Sequence, residues 1–278
     1  MPEGDTIFRA ARTLDRALAG QIVTKFETQL PLLARVDDDT PLAGRMVDRV
    51  ESAGKWVRMY FSGDLILLTH MLMSGSWHIY RPGERWKRSR YHMRIAIHTG
   101  AFVAVAFNVP VAEFHTAASL SRRLQEKPLG PDILANDFDP AIIVAQLRSR
   151  PDLEVGSALL LQSLVSGIGN VFKSEILFLA GIEPFTPVAA LSDADIERLV
   201  AISREQLAAN VLTRSQTLTP SIGRRTTRSL DPNKKLWVYG RGGKPCRRCG
   251  GPILARKTGL DARLTYWCPR CQGGGQEK

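Results

Sequence analysis

Apolar and polar positions change their rhythm about halfway along the chain. Over the first 130 residues, short runs alternate or cluster apolar side chains and are punctuated by Gly, Pro and Asp: "QIVTKFET", "RMVDRVESAG", "WVRMYFSG", "LILLTHML", "SWHIYR", "HMRIAIHTG" and "AFVAVAF". A period of two in runs this short predicts an antiparallel sandwich or barrel. One helix precedes them, over "TIFRAARTLDRALAG", closed by Gly20. Beyond "EKPLGPDILANDFDP", where Pro and Gly cluster, apolar residues recur at spacings of three and four in "PAIIVAQLRSR", "SALLLQSLVS", "VFKSEILFLAG" and "DADIERLVAISREQLAANVLT", which predicts four helices. The last has a capping-box-like start, Ser192 followed three residues later by Asp195. The expected architecture is therefore α+β in two domains. Residues 1–130 form a β-sandwich with a leading helix, 131–236 are helical, 237–273 form a small metal-clipped hairpin, and 274–278 are a tail.

That last assignment comes from cysteine spacing. Cys246 and Cys249 form one C-x2-C pair and Cys268 and Cys271 a second, and the chain has no other cysteine. Each pair presents two sulfurs from a tight turn to one tetrahedral ion, which points to one structural Zn2+ with no open coordination position. Two disulfides are the alternative, disfavoured in a reducing compartment. No run approaches the roughly 18 apolar residues that cross a bilayer, and the start lacks a basic region followed by an apolar stretch, so a cytoplasmic protein without membrane attachment is expected. With 278 residues, 44% hydrophobic, the chain has enough material for a sizeable core. Its net charge of +11 points to a polyanionic partner. The finger shares that charge through Arg247, Arg248, Arg256, Lys257, Arg263 and Arg270.

Two further stretches carry candidate chemistry. "SGIGN" joins two predicted helices through a tight turn and sets Asn170 at or next to a helix start, where backbone N–H groups and the side-chain amide suit a phosphate; Lys173 follows one turn later. A plain tight corner is the other reading. "MPEGDT" puts Pro2 and Glu3 directly behind a removable methionine.

Taken together, "PEG" at the start, Gly54-Lys55, "HMLMSGSW" from His70, "LGPD" from Leu129, "GIGN" from Gly167 and "YGRGGKPCRRCGG" before the finger resemble the bacterial formamidopyrimidine-DNA glycosylase and endonuclease VIII family, in order and over the whole chain. The resemblance implies a bifunctional DNA glycosylase/AP lyase of base excision repair. Such an enzyme would act in the bacterial cytosol, as a monomer, on damaged double- or single-stranded DNA held between a β-domain and a helix-two-turn-helix domain. Pro2 would be the nucleophile, forming an iminium with the sugar, and Glu3 the general acid and base. Lys55 would serve β-elimination, Arg263 δ-elimination and phosphate binding, and Asn170 phosphate binding. Leu72 and Met73 would fill the void left by an extruded base; read from the residues alone, they could instead close a strand into the core. Lys55 and Arg263, without the resemblance, read as solvated surface charges.

The chain also departs from the family pattern. Asp5 and Thr6 stand where many relatives carry Pro and Glu, and "NVPVAEF" stands where formamidopyrimidine-type members carry an arginine-bearing loop. The second departure implies the endonuclease VIII branch and oxidised pyrimidines; oxidised purines are the alternative. The stretch "SIGRRTTRS", 221–229, falls where the family has a mobile loop over the base. A non-catalytic zinc-finger DNA binder leaves the free Pro2-Glu3 start unused. An RNA- or ribosome-associated zinc ribbon leaves Lys55 and the β-domain unexplained.

Overall fold

The computed structural model describes residues 2–212, 224–258 and 262–273; Met1, positions 221–223 of the basic loop and the 274–278 tail lie outside the described residues. Two compact units meet in sequence at Pro128 and Leu129.

In the first unit, helix α1 (Gly4–Leu18) leads into β1 (Val23–Thr28), α2 (Pro31–Asp39), β2 (Val47–Ala53), β3 (Trp56–Phe61), β4 (Leu65–His70), β5 (Ser76–Tyr80), β6 (Met93–Thr99), β7 (Val103–Phe107), β8 (Val111–His115) and α3 (Ala117–Glu126). The strands form two four-stranded antiparallel sheets, ordered β1-β6-β7-β5 and β2-β3-β4-β8. Their shared core takes alternate residues, Val57, Met59 and Phe61 from β3 and Ile95 and Ile97 from β6, as the period of two requires. Ile7, Ala10, Ala11, Leu14 and Leu18 of α1 pack into the same core. Asp15 Oδ1 accepts the Val50 N–H at 2.8 Å, tying α1 to β2.

All seven predicted strands form. Sequence periodicity missed β8 and two helices. α2 buries only Leu33, leaving no apolar stripe to detect. α3 is specified by its cap, in which the Thr116 hydroxyl accepts the Ser119 N–H and the Ser119 hydroxyl accepts the Thr116 N–H.

The second unit contains α4 (Pro140–Arg148), the single turn α5 (Val155–Ala158), α6 (Asn170–Ala180), α7 (Asp193–Leu212), a hairpin of β9 (Leu254–Thr258) and β10 (Arg263–Trp267), and the short α8 (Pro269–Gln272). Ser192 and Asp195 make the reciprocal cap expected of α7. The helix predicted over "SALLLQSLVS" is a correction: after Ala158 the chain continues as turns. Its backbone is drawn into tertiary pairing, with Gln162 O accepting the Gly130 N–H and Ser166 N–H donating to Pro131 O. Gly130 has no alternative there, because a Cβ would lie 2.6 Å from the Leu164 carbonyl carbon.

Candidate functional site

Pro2 is half-buried immediately ahead of α1, and Glu3 is fully buried at that helix's N-cap position. The Glu3 carbonyl accepts Thr6 N–H at 2.9 Å and Ile7 N–H at 3.1 Å, so the dipeptide is positioned by the first turn of a fifteen-residue helix. Asp5 is also fully buried, with Arg9 one turn on at 3.9 Å. Thr6 Oγ1 donates to Asp5 Oδ1 at 3.2 Å, so the two family departures engage each other.

Lys55 sits at the tip of the β2–β3 hairpin, whose last rung pairs Ala53 with Trp56. Gly54 carries the left-handed conformation, φ +58°, that a two-residue reversal needs. Arg123, bridged to Glu113 at 2.8 Å, stacks over Trp56 at 4.4 Å and braces this hairpin from α3.

His70, which sequence reasoning passed over, closes β4. Burial, with the nearby Lys55 and Arg123 cations, pushes its pKa down to about 4, so the ring is neutral. Its Nδ1 accepts the Leu72 N–H at 3.1 Å, which places the ring hydrogen on Nε2. That contact pins a turn in which Leu72 has φ +43°. Leu72 is 46% exposed and Met73 70%, so neither closes a strand into the core. A leucine in left-handed backbone costs about 1–2 kcal/mol, and strain of this kind is retained where the surroundings impose it.

In the second unit, α6 is the organising element. Asn170 occupies its first position, buried, with Nδ2 donating to the Leu264 carbonyl at 2.8 Å; Oδ1 is buried without a hydrogen-bond partner among the described residues. This bond docks the start of β10, and hence Arg263, onto the helix start. Asn170 and Arg263 are thus brought together although 93 positions separate them. Lys173 is fully buried, and its Nζ donates to Thr265 Oγ1 at 2.6 Å, joining α6 to β10.

Glu175, also missed, joins α6 to the finger. Its carboxylate is fully buried and accepts N–H groups from Trp237, Val238 and Tyr239, each at 2.8 Å, together with the Thr226 hydroxyl. Burial pushes its pKa up, against the four donors that favour the anion. No local pattern could have revealed it, since its partners lie 51 to 64 residues downstream.

The four cysteine sulfurs lie within 4.8 Å of one another. Cys246 and Cys271 sulfurs are 3.9 Å apart, Cys249 and Cys268 sulfurs 3.5 Å. A tetrahedron of about 2.3 Å Zn–S bonds needs sulfurs about 3.8 Å apart, so the cluster fits a tetrahedral thiolate site. The Gly251 N–H holds the Cys249 thiol down to about 7, while burial pushes Cys268 and Cys271 up. Among the described residues, no helix is long and apolar enough to cross a membrane.

Comparison with known proteins gives this geometry its context. Family models match three stretches: the formamidopyrimidine-DNA glycosylase N-terminal domain at 1–110, its H2TH domain at 129–221, and the zinc finger found in FPG and IleRS at 243–273. The chain is 38% identical to a probable endonuclease 8 2 of Streptomyces coelicolor, covering 99% of this chain and 95% of that one. It is 35% identical to the DNA-(apurinic or apyrimidinic site) lyase Nei2 of Mycolicibacterium smegmatis, covering 98% and 99%. A crystal structure of Lactococcus lactis Fpg with DNA containing an abasic site shares the fold, with TM-score 0.81 at 23% identity over 98% of this chain and 99% of that one. The four cysteines accordingly form the structural metal site of a zinc finger. The chain belongs to the formamidopyrimidine-DNA glycosylase/endonuclease VIII family, in its endonuclease VIII-like branch, and is a DNA glycosylase with AP lyase activity.

Proposed function

We propose that the enzyme excises oxidised pyrimidines through an iminium formed on Pro2. The reading is carried by the Pro2-Glu3 start: a secondary amine and a fully buried carboxylate, adjacent in the chain and positioned by the first turn of α1. With Met1 removed, the amine of Pro2 titrates near pH 8, so a useful fraction is unprotonated at neutrality. Its nitrogen bonds to C1′ as the glycosidic bond breaks, and the base leaves with a proton. Glu3 protonates the ring oxygen as the sugar opens and takes protons in the steps that follow. The iminium draws electrons from C2′, which loses a proton as the 3′ phosphate departs; a second elimination expels the 5′ phosphate.

Lys55, on a hairpin strapped to the same helix, serves the first elimination. Arg263 serves the second and, with Asn170 at the start of α6, grips phosphate. Leu72 and Met73 fill the gap left by the extruded base, a use that suits an exposed, pinned, strained turn. The pyrimidine preference is supported by Val111–His115, an arginine-free strand where purine-specific relatives carry arginine. One Zn2+ at Cys246, Cys249, Cys268 and Cys271 keeps the finger folded. The protein works as a monomer in the bacterial cytosol, on duplex or single-stranded DNA.

The test is chemical trapping. Incubation with thymine-glycol duplex and borohydride should leave a covalent protein–DNA adduct, and retaining Met1 should abolish it. Absence of an adduct on thymine-glycol and abasic duplexes alike would overturn the iminium. An adduct with 8-oxoguanine duplex but not with thymine-glycol would overturn the pyrimidine assignment alone.

A further inference from the structure

The connection between β5 and β6 is twelve residues long and the most basic exposed stretch of the first unit: "RPGERWKRSRYH" carries Arg81, Arg85, Lys87, Arg88 and Arg90 against the single acid Glu84. Strands β5 and β6 both run antiparallel to β7, which lies between them. They are therefore parallel to each other, and the connection must cross the sheet from the Tyr80–Val103 end to the Met93–Phe107 end. It crosses on the face turned away from the sandwich core. There Trp86 packs on Tyr80, Val105 and Phe107, whereas Ile95, Ile97, Ala104 and Ala106 point inward to the core that holds α1. A sheet thus separates this stretch from the core that positions Pro2 and Glu3.

The crossing is exposed but tightly held. The Tyr80 hydroxyl accepts the Lys87 N–H at 3.1 Å, Glu84 accepts the Arg81 N–H at 2.9 Å, Ser89 caps the turn over Arg90–His92, and His92 meets Asn108 at 3.1 Å. Arg90 is spent on Glu27 at 2.5 Å. Arg81, Arg85, Lys87 and Arg88 have no carboxylate within ion-pairing distance among the described residues. These cations rim a hollow of about 850 Å³ floored by Trp86 and by Thr24, His98 and Thr99 of the sheet. Past the residues that line the hollow, where the crossing reaches β6, Tyr91 is 77% exposed, its backbone fixed by a 3.1 Å bond from Arg94 to its carbonyl.

We propose that this hollow is a second nucleic-acid site, for single-stranded DNA. Its cations would contact successive phosphates, and Tyr91 would stack on one base. Four cations held together on an ordered backbone repel one another, and a polyphosphate relieves that repulsion while releasing condensed counterions. An exposed aromatic beside a basic groove is the arrangement by which single strands are bound without sequence preference.

The full-length protein is first saturated with a short duplex carrying an uncleavable abasic analogue, and labelled oligothymidylate is then added. The oligomer should join the complex. Replacing Arg85, Lys87 and Arg88 together by Gln should abolish joining and lower the salt slope of oligomer binding by about two units. Tyr91→Ala should weaken binding roughly ten-fold with the slope unchanged. Cleavage of the abasic duplex at low salt should be unaffected by either change, which also reports that the variants are folded. Displacement of the oligomer by the duplex, joining by the triple variant equal to wild type, or equal competition at this site by undamaged duplex would each overturn the proposal.

Discussion

Leu72 shows how one residue can be costly to the fold and still retained. Its side chain contributes little burial at 46% exposure, and its backbone sits at φ +43°. In Leu72→Gly, relief of about 1–2 kcal/mol of strain is offset by about 0.5–1 kcal/mol of added chain entropy. Thermal unfolding should therefore change little, whereas a leucine closing a core would lose about 2–5 kcal/mol on truncation to alanine. Single-turnover excision from duplex should fall at least ten-fold in the same variant. Unchanged excision would remove Leu72 from the void-filling role. Lys173 and Arg263 make a matched pair at this scale. Lys173→Met keeps a buried chain of similar length, so the salt dependence of DNA affinity should not move, while Arg263→Ala should reduce the slope by about one unit. A reduced slope for Lys173→Met would mean that its ammonium reaches phosphate after all.

Among elements, α6 joins most of the second unit. One face zips onto β10 through Asn170, Lys173 and Ser174, and Glu175 gathers the N–H groups of the segment entering the finger. Glu175→Ala strands three backbone donors and a hydroxyl, and should cost on the order of 4 kcal/mol in urea unfolding. A loss below about 1 kcal/mol would show that water takes over those donors. Elements were legible in the sequence wherever burial repeats locally, as in seven of the sandwich's eight strands and in α1, α4, α6 and α7. They were illegible where other forces decide. α2 has one buried residue, α3 rests on a cap, and Gln162 and Ser166 give their backbone groups to the Gly130–Ile133 stretch in place of a helix. The site divides the same way. Pro2-Glu3 and the cysteine pairs are local spacings, whereas His70, Glu175 and the basic crossing acquire meaning only from partners distant in the chain or from sheet order.

For the whole molecule, the finger's metal is a matter of folding as well as ligation. Cys249→Ser should release zinc, measured as metal content per chain, and weaken DNA affinity; full zinc and full affinity would contradict the four-sulfur site. The helices and the finger belong to one compact unit, joined through Asn170, Lys173 and Ser174 on β10 and through the carboxylate of Glu175. Ligands that bind only the folded state add their free energy to the whole cooperative block they sit in, and a structural zinc site supplies about 10–16 kcal/mol in small finger peptides. The helix that carries Asn170 therefore draws part of its stability from mass action, so the free-metal concentration of the surroundings sets how firmly a helix start at the opposite end of β10 from Cys268 is held in place.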